Sequence, residues 1–401
     1  MKVLLLCHKS PWPPKEGGPI AMCAMINGLL MAGIDVKVLA LNTNKYSVDL
    51  KDIPQKFQQQ TRISFVPIDL SVKPLDAFLN IFTRKSYHIK RFMSSDFASA
   101  LTEILKSESF DIIQFESLFL TPYISLIKRY SNARLILRAH NIEHLIWSRL
   151  AQETTLPINK WYLNHLARTL KTYELSVMNE LDGIATFTIN DELRFRKLGF
   201  SKLIDTIPFA IDCPNNLPKN TRLTKTLFHI GAMNWMPNQE GIRWFLKECW
   251  PVIHLKFPEM KLVLAGRAMP EWMLNFKMIG VDIRGEVTDA NQFMAENGIM
   301  IVPLFSGSGV RVKIIEAMAL GKTVISTTMG AEGIMCQHEK NILLADTPDQ
   351  FLKAIISCFT IPGYARKIGD NASQYIKEYH TLENVSILTK NYYQQLIQSL
   401  N

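Results

Sequence analysis

"KVLLLCHKSPWPPKEGGPIAMCAMINGLLMAGIDVKVLAL", residues 2–41, is the stretch that decides the fold of this chain. Its opening "KVLLLC" is a continuous apolar run, the pattern of a parallel strand covered on both faces. A loop rich in Pro and Gly follows. "IAMCAMINGLLMAGI" is then apolar at helical spacing, and "DVKVLAL" reads as a second strand. The unit is strand, loop, helix, strand. The first apolar run, Val3 to Cys7, is too short for the core of a signal peptide.

Outward from this unit the pattern repeats. "ISFVPI", "DIIQFE", "ARLILRAHN", "GIATFTI" and "LIDTIPFAID" continue the strands, with a long helical stretch over residues 159–179. Residues 213–225, "CPNNLPKNTRLTK", are poor in apolar side chains and read as a linker. After them the alternation restarts. "TLFHIGAM" is a strand, residues 238–257 read as one amphipathic helix, and "KLVLAG", "VDIRGEV" and "GIMIVPL" are further strands. The expected fold class is α/β, with two doubly wound parallel sheets. In such sheets ligands bind beyond the carboxyl ends of the strands.

The chain has 401 residues, 47% of them apolar, and a formal net charge of +9. That length suits two domains with real cores. The charge favours anionic partners without choosing among them. Six scattered cysteines without a CxxC pair fit neither a disulfide framework nor a zinc knuckle. No run is long enough to span a membrane. No Asp-x-Asp, HExxH, GxSxG or P-loop occurs, so no metal is expected.

Three stretches could carry chemistry. In "FSGSGVRVKIIEAMALGKTV", residues 305–324, Gly307 and Gly309 permit positive φ and close approach of a ligand. A helix starting near Val310 would aim free N–H groups into the loop, and Arg311 and Lys313 add charge, which makes a phosphate site. Glu316 lies on the face of Lys313. It suits ribose hydroxyls, or else forms an ion pair with that lysine. The second stretch, "SPWPPKEGGP", puts Gly17 and Gly18 before a helix. They form either a plain turn or backbone that meets a ligand. The third, "LRAHNIEH", sets His140 at the carboxyl end of a strand, with Asn141, Glu143 and His144 on the same turn.

Together "PPKEGGP", "RAHNIEH", "IPFAID", "GAMNWMPNQEGIRWF" and "GSGVRVKIIEAMALGKTVISTTMGAEGI" resemble the family 4 retaining glycosyltransferases. That resemblance implies the GT-B fold, two Rossmann-like domains facing across a cleft. Residues 1–212, completed by a helix over 384–401, would form the acceptor-side domain and residues 226–383 the donor domain. The donor would be a nucleoside-diphosphate sugar and the acceptor a glycan or lipid-linked sugar. Neither a cofactor nor nucleic acid is implied. Glu316 would hold the ribose. Ser308, Gly309, Val310, Arg311 and Lys313 would face the diphosphate, with Asn234 and Asn238 nearby. Gly17 and Gly18 would close on the donor from the first domain. His140 would contact the transferred sugar, and Glu286 and Val287 would frame the base.

Two departures stand out. The family's pair of glutamates, seven residues apart, is met only by Glu316, because Ser308 holds the first position. The loop opening the second half, "GAMNWMPNQEG", lacks the family's basic residues. A binding protein without turnover and a sugar-nucleotide epimerase are therefore alternative readings. Finally, "FTRKSYHIKRF", residues 82–92, interleaves Arg84, Lys85, Lys90 and Arg91 with Phe82, Tyr87 and Phe92. It suits an anionic membrane surface or a solvated basic helix. The expected location is the cytoplasm, with the inner face of the cell membrane as a docking place.

Overall fold

Seven strands build the first of two sheets: β1 (Lys2–Cys7), β2 (Asp35–Thr43), β3 (Ser64–Ile68), β4 (Ile112–Phe115), β5 (Arg134–Ala139), β6 (Gly183–Thr186) and β7 (Leu203–Thr206). A computed structural model describes all residues except 15, 45–46, 72, 74, 76–78, 84, 212–222, 308 and 399–401. The strands are parallel and ordered β3-β2-β1-β4-β5-β6-β7. Side chains alternate across a strand. Leu4 and Leu6 of β1 enter one apolar layer with Phe97, Ile113 and Phe115. Val3, Leu5 and Cys7 enter the opposite layer, with Met22 and Ile26. Both faces are covered, which is why "KVLLLC" shows no polar alternation. Helices α1 (Gly17–Met31), α2 (Glu143–Glu153) and α3 (Pro157–Met178) belong to this unit.

The second sheet has β8 (Thr226–Ile230), β9 (Lys261–Ala265), β10 (Val281–Gly285), β11 (Ile299–Val302), β12 (Val324–Ser326) and β13 (Leu343–Leu344). Its order is β10-β9-β8-β11-β12-β13, again parallel throughout. Its helices include α4 (Met236–Trp244) and α5 (Val312–Ala319). The helix expected over residues 238–257 is interrupted. A π-helical turn, Phe245–Cys249, separates α4 from the helix Trp250–Lys256. Pro251 explains this: it has no N–H to donate and its ring collides with the carbonyl four residues back, so the ladder slips at that point.

The chain divides into Met1–Ala210 with Leu382–Asn401, and Ile211–Thr381. Of the linker expected at 213–225, residues 213–222 lie outside the described ones. The ends of the second unit are tied together: Ile211 bridges Thr381, and its N–H donates to the His380 carbonyl at 2.9 Å. The closing helix α6 (Leu382–Gln398) then packs on α1. It buries Val385, Tyr392, Tyr393 and Leu396 in the layer that holds Val3 and Leu5. Each such side chain contributes ~1.5–3 kcal/mol.

In both sheets the strand order reverses beside the first strand, between β1 and β4 and between β8 and β11. In such sheets ligands bind at this point, beyond the carboxyl ends of the strands.

Candidate functional site

At the switch point of the first sheet stands a buried polar cluster built around Glu116, the residue after β4. Glu116 is fully buried. Its Oε2 accepts from Arg138 Nη1 at 3.3 Å and from His140 Nε2 at 3.1 Å, and its Oε1 from Gln114 at 2.6 Å. The guanidinium and the two hydrogen bonds overcome the cost of burial and hold the carboxyl below its usual range. Arg138 also donates to the Ala21 carbonyl at 3.0 Å and stacks on Phe187 at 4.4 Å. Tyr393, on α6, donates to Gln114 Oε1 at 2.5 Å.

His140 is half-buried, and burial lowers its pKa in spite of Glu116. The neutral ring donates from Nε2 to the carboxylate, which leaves its lone pair on Nδ1. The turn after it is anchored by a residue that sequence reasoning missed. Glu174 of α3 accepts from the N–H groups of Glu143 and His144 at 3.1 and 3.3 Å, and from His144 Nδ1 at 2.5 Å. A carboxylate thus satisfies the free N–H groups opening α2, where the N-cap Ile142 has no side chain able to do so. Burial, and then the charge of Glu174, push the half-buried Glu143 carboxyl up to about 8.

Gly17 and Gly18 open α1 beyond β1. A Cβ on Gly18 would stand 3.0 Å from Lys9 Cε, so the missing side chain lets Lys9 lie against the helix start, where it pairs with Glu16 at 3.6 Å. Lys9 was not singled out from the sequence. Its signal was position: it stands two residues beyond the central strand.

At the second switch point the geometry centres on Lys313. Its half-buried ammonium donates to Asn238 Oδ1 at 2.7 Å and to His229 Nε2 at 3.1 Å. His229 lies in β8, fully buried, and its Nδ1–H donates to the Ile301 carbonyl at 2.8 Å. That bond fixes the tautomer and leaves Nε2 to accept from the lysine. Burial and the lysine charge keep the imidazole neutral. Desolvation and the Arg311 charge push the Lys313 pKa well below its ordinary value. Gly231 makes room, because a Cβ there would lie 3.1 Å from Nζ. Two ammonium protons are thus held, and no described residue takes the third.

Glu316, half-buried one turn on, has its pKa raised by burial alone. Among the described residues its carboxylate has no hydrogen-bond or ion-pair partner. The ion pair with Lys313 that the spacing allowed does not form, because the lysine turns toward Asn238 and His229.

Several expectations are corrected. Helix α5 begins at Val312, with Arg311 as its N-cap, rather than at Val310. Positive φ at Gly307 and Gly309, 105° and 79°, folds the loop over Arg311, which is 5% exposed. Arg311 donates to the Gly309 carbonyl at 2.6 Å and lies 5.1 Å from the Trp235 ring centre. It therefore shapes the loop from beneath instead of presenting its charge openly. Asn238 is buried, with its amide donating to the Ala232 carbonyl at 2.9 Å while its oxygen holds Lys313. It positions the lysine. Asn234 is exposed, Val310 is half-buried, and Ser308 lies outside the described residues. Glu286 is exposed and Val287 half-buried, just beyond the edge strand β10. No group of three or more His, Cys, Asp or Glu among the described residues could hold a metal ion.

Of the basic stretch 82–92, Arg84 lies outside the described residues. Tyr87 is buried and Phe92 stacks on Phe119 at 4.8 Å. Arg91 donates to the Leu70 carbonyl. Phe82, Lys85 and Lys90 remain exposed.

Comparisons agree with this architecture. Residues 224–360 match the family described as Glycosyl transferases group 1. An uncharacterized 44.6 kDa protein in the cps region of Klebsiella pneumoniae is 23% identical, over 96% of this chain and 97% of its own. Among solved structures, sucrose-phosphate synthase from Thermosynechococcus elongatus superposes with a TM-score of 0.70 at 14% identity, covering both chains fully. Anabaena HepE in complex with UDP-glucose gives 0.64 at 14% identity, over 100% of this chain and 99% of that one. These likenesses are likenesses of fold. Residues 224–360 thus match the glycosyl transferases group 1, and the two parallel sheets, whose first six strands share one order, have the GT-B fold of these structures.

Proposed function

We propose that this chain moves a sugar from a nucleoside-diphosphate sugar to a hydroxyl of a glycan or lipid-linked acceptor, with retention of configuration, in making a surface polysaccharide. One observation carries the reading: a single turn of α5 presents a lysine with one ammonium proton unclaimed and a carboxylate without a partner among the described residues. A diphosphate meets the first need and a ribose diol the second. Support comes from HepE, solved with UDP-glucose, and from the cps region to which the Klebsiella relative belongs.

In this reading the bond from sugar C1 to the diphosphate oxygen breaks, and the acceptor oxygen bonds to C1 on the same face. The acceptor proton passes to the departing diphosphate. Lys313 meets the negative charge as it gathers there. Arg311 supports the loop and adds its field, and Gly309 and Val310 line the phosphates. Glu316 orients the ribose. His140, held by Glu116, offers Nδ1 to a hydroxyl of the transferred sugar. No metal enters.

The test begins with thermal shift against UDP-, GDP- and ADP-sugars, since a bound donor stabilises the fold. Product anomers are then assigned by NMR, with and without EDTA. We expect one donor to raise the midpoint and the product to keep the donor's configuration under both conditions. An inverted product, or loss of turnover in EDTA, overturns the mechanism. Donor binding without turnover on any acceptor favours a binding protein.

A further inference from the structure

Helix α3 begins well outside its core. Its first fully buried residue is Leu166; before it Tyr162, Leu163 and His165 are half-buried and the rest of 157–165 is exposed. Ile158 there is 80% exposed and Trp161 56%, with Leu156 at 62% just before the helix. A second stretch of the same unit behaves alike. Leu75, Leu79 and Phe82, at spacings of four and three, are 71%, 53% and 76% exposed. Single exposed apolar side chains are ordinary, whereas two such groups in one place are not.

The two stretches are joined through packing. The short helix Tyr87–Lys90 lies against α3. Tyr87 is buried there, and its hydroxyl accepts from the Lys73 N–H at 3.2 Å. His88 stacks on Trp147 of α2 at 4.1 Å, and burial lowers its pKa to about 4, so it stays neutral within this contact. The exposed side chains therefore stand within a few turns of one packed seam. Their charged neighbours are mostly basic, although Asp76 lies in the same stretch of the sequence. Lys73, Lys85, Lys90 and Lys160 are exposed, and Glu153 is the one acidic residue described in 73–93 and 149–161.

We propose that this ridge of α3 and the described residues of 73–93 docks on an anionic phospholipid bilayer. Apolar tips would enter the acyl boundary while lysine heads stay among the lipid phosphates. The occupant follows from the pairing of these two features. Lysines alone would suit a soluble polyanion, and apolar tips alone a second copy of the chain. No described helix is long and apolar enough to cross a membrane, so the contact lies on the surface. The proposal stands on this surface alone and uses no donor chemistry.

The experiment is vesicle flotation of the full chain, without donor or acceptor. It compares phosphatidylglycerol-containing vesicles with pure phosphatidylcholine, at low and high salt. Wild type is expected to float with the anionic vesicles only, and less so in high salt. Phe82→Glu with Trp161→Glu should lose roughly tenfold or more in partitioning, and Lys85→Gln with Lys90→Gln several-fold. Circular dichroism and the thermal midpoint confirm folding of both variants. Equal, negligible flotation with both vesicles overturns the proposal. So does flotation that both variants retain, or a dimer in solution that the Phe82/Trp161 variant dissolves while wild type ignores vesicles. Because no sugar is present, each of these failures leaves the transfer reading untouched.

Discussion

At the first switch point a carboxylate is surrounded by donors, while at the second an ammonium is held by neutral acceptors and a carboxylate stands without a described partner. Glu116 has Arg138, His140 and Gln114 around it, and nothing is left for a ligand to complete. Lys313 has Asn238 and His229, neither charged, and Glu316 has no described partner. Two sheets of the same strand order thus use their crevices in opposite ways. The first holds a finished structure that aims a histidine. The second keeps charges short of partners, as suits a site whose partner arrives with the substrate.

The sharpest way to break that contrast is to remove each carboxylate. Glu116→Ala leaves Arg138 buried without its counter-charge, and we expect a loss of ~3–5 kcal/mol in chemical denaturation. Glu316→Ala should leave stability within about 0.5 kcal/mol of wild type or raise it. Equal losses from the two would erase the distinction.

Lys313→Ala tests the other side. It should lower kcat by roughly a hundredfold, about 2.7 kcal/mol, because its interaction strengthens as the diphosphate departs. Turnover at the wild-type rate would remove Lys313 from the phosphate site. Donor binding also has a proton signature. The lysine pKa is depressed in the free protein, and a diphosphate would raise it, so binding at alkaline pH should take up a proton. Calorimetry in two buffers of different ionisation enthalpy measures that uptake, and Lys313→Ala should abolish it.

Glu143 gives a pH test within the first unit. Its carboxyl titrates near 4.5 in a free chain and near 8 when folded. Between those values the folded state binds the extra proton, so stability should be full below about 4.5 and fall as pH rises toward 8. Glu143→Gln should flatten this decline in urea midpoints across pH. A slope that survives the substitution would assign it to another group.

The smallest effect expected is that of Glu316→Gln. Ribose does not change during transfer, so the variant should raise donor KM about tenfold, ~1.4 kcal/mol, with kcat nearly kept. Wild-type donor affinity in this variant would sever the link between the glutamate and ribose.

Much of the fold was legible because strands covered on both faces carry no polar alternation, and "KVLLLC", "DIIQFE" and "GIMIVPL" show this directly. The π turn before Pro251 was not. A helical apolar period runs through it, and the proline's effect on the ladder is invisible to periodicity. Lys313 and Glu316 could be singled out because charge behind a glycine loop is conspicuous. Their partners could not. His229 hides inside an apolar strand 84 positions from Lys313. Glu116 and Arg138 end or cross neighbouring strands, so their meeting is set by sheet register, not by spacing along the chain. A charged residue closing the apolar run "DIIQF" was the one available signal. Arg311 misled for the opposite reason. Its place in sequence suggests a loop mouth, but positive φ at two glycines buries it.

The bridge between Ile211 and Thr381 governs how the molecule completes itself during synthesis. Tyr393 must find Gln114 across 279 positions, and in an open chain closing such a loop is entropically unfavourable. Once the second unit has folded, its two ends are pinned together and all of it counts as a short link. Helix α6, translated after both sheets, is then released beside the point where the chain left β7. Until that moment a nascent chain carries a first sheet whose Val3 and Leu5 face has α1 but lacks the rest of its cover. A stop codon just before Leu382 would therefore yield a protein with every strand and both switch points, yet prone to aggregation and capture by chaperones.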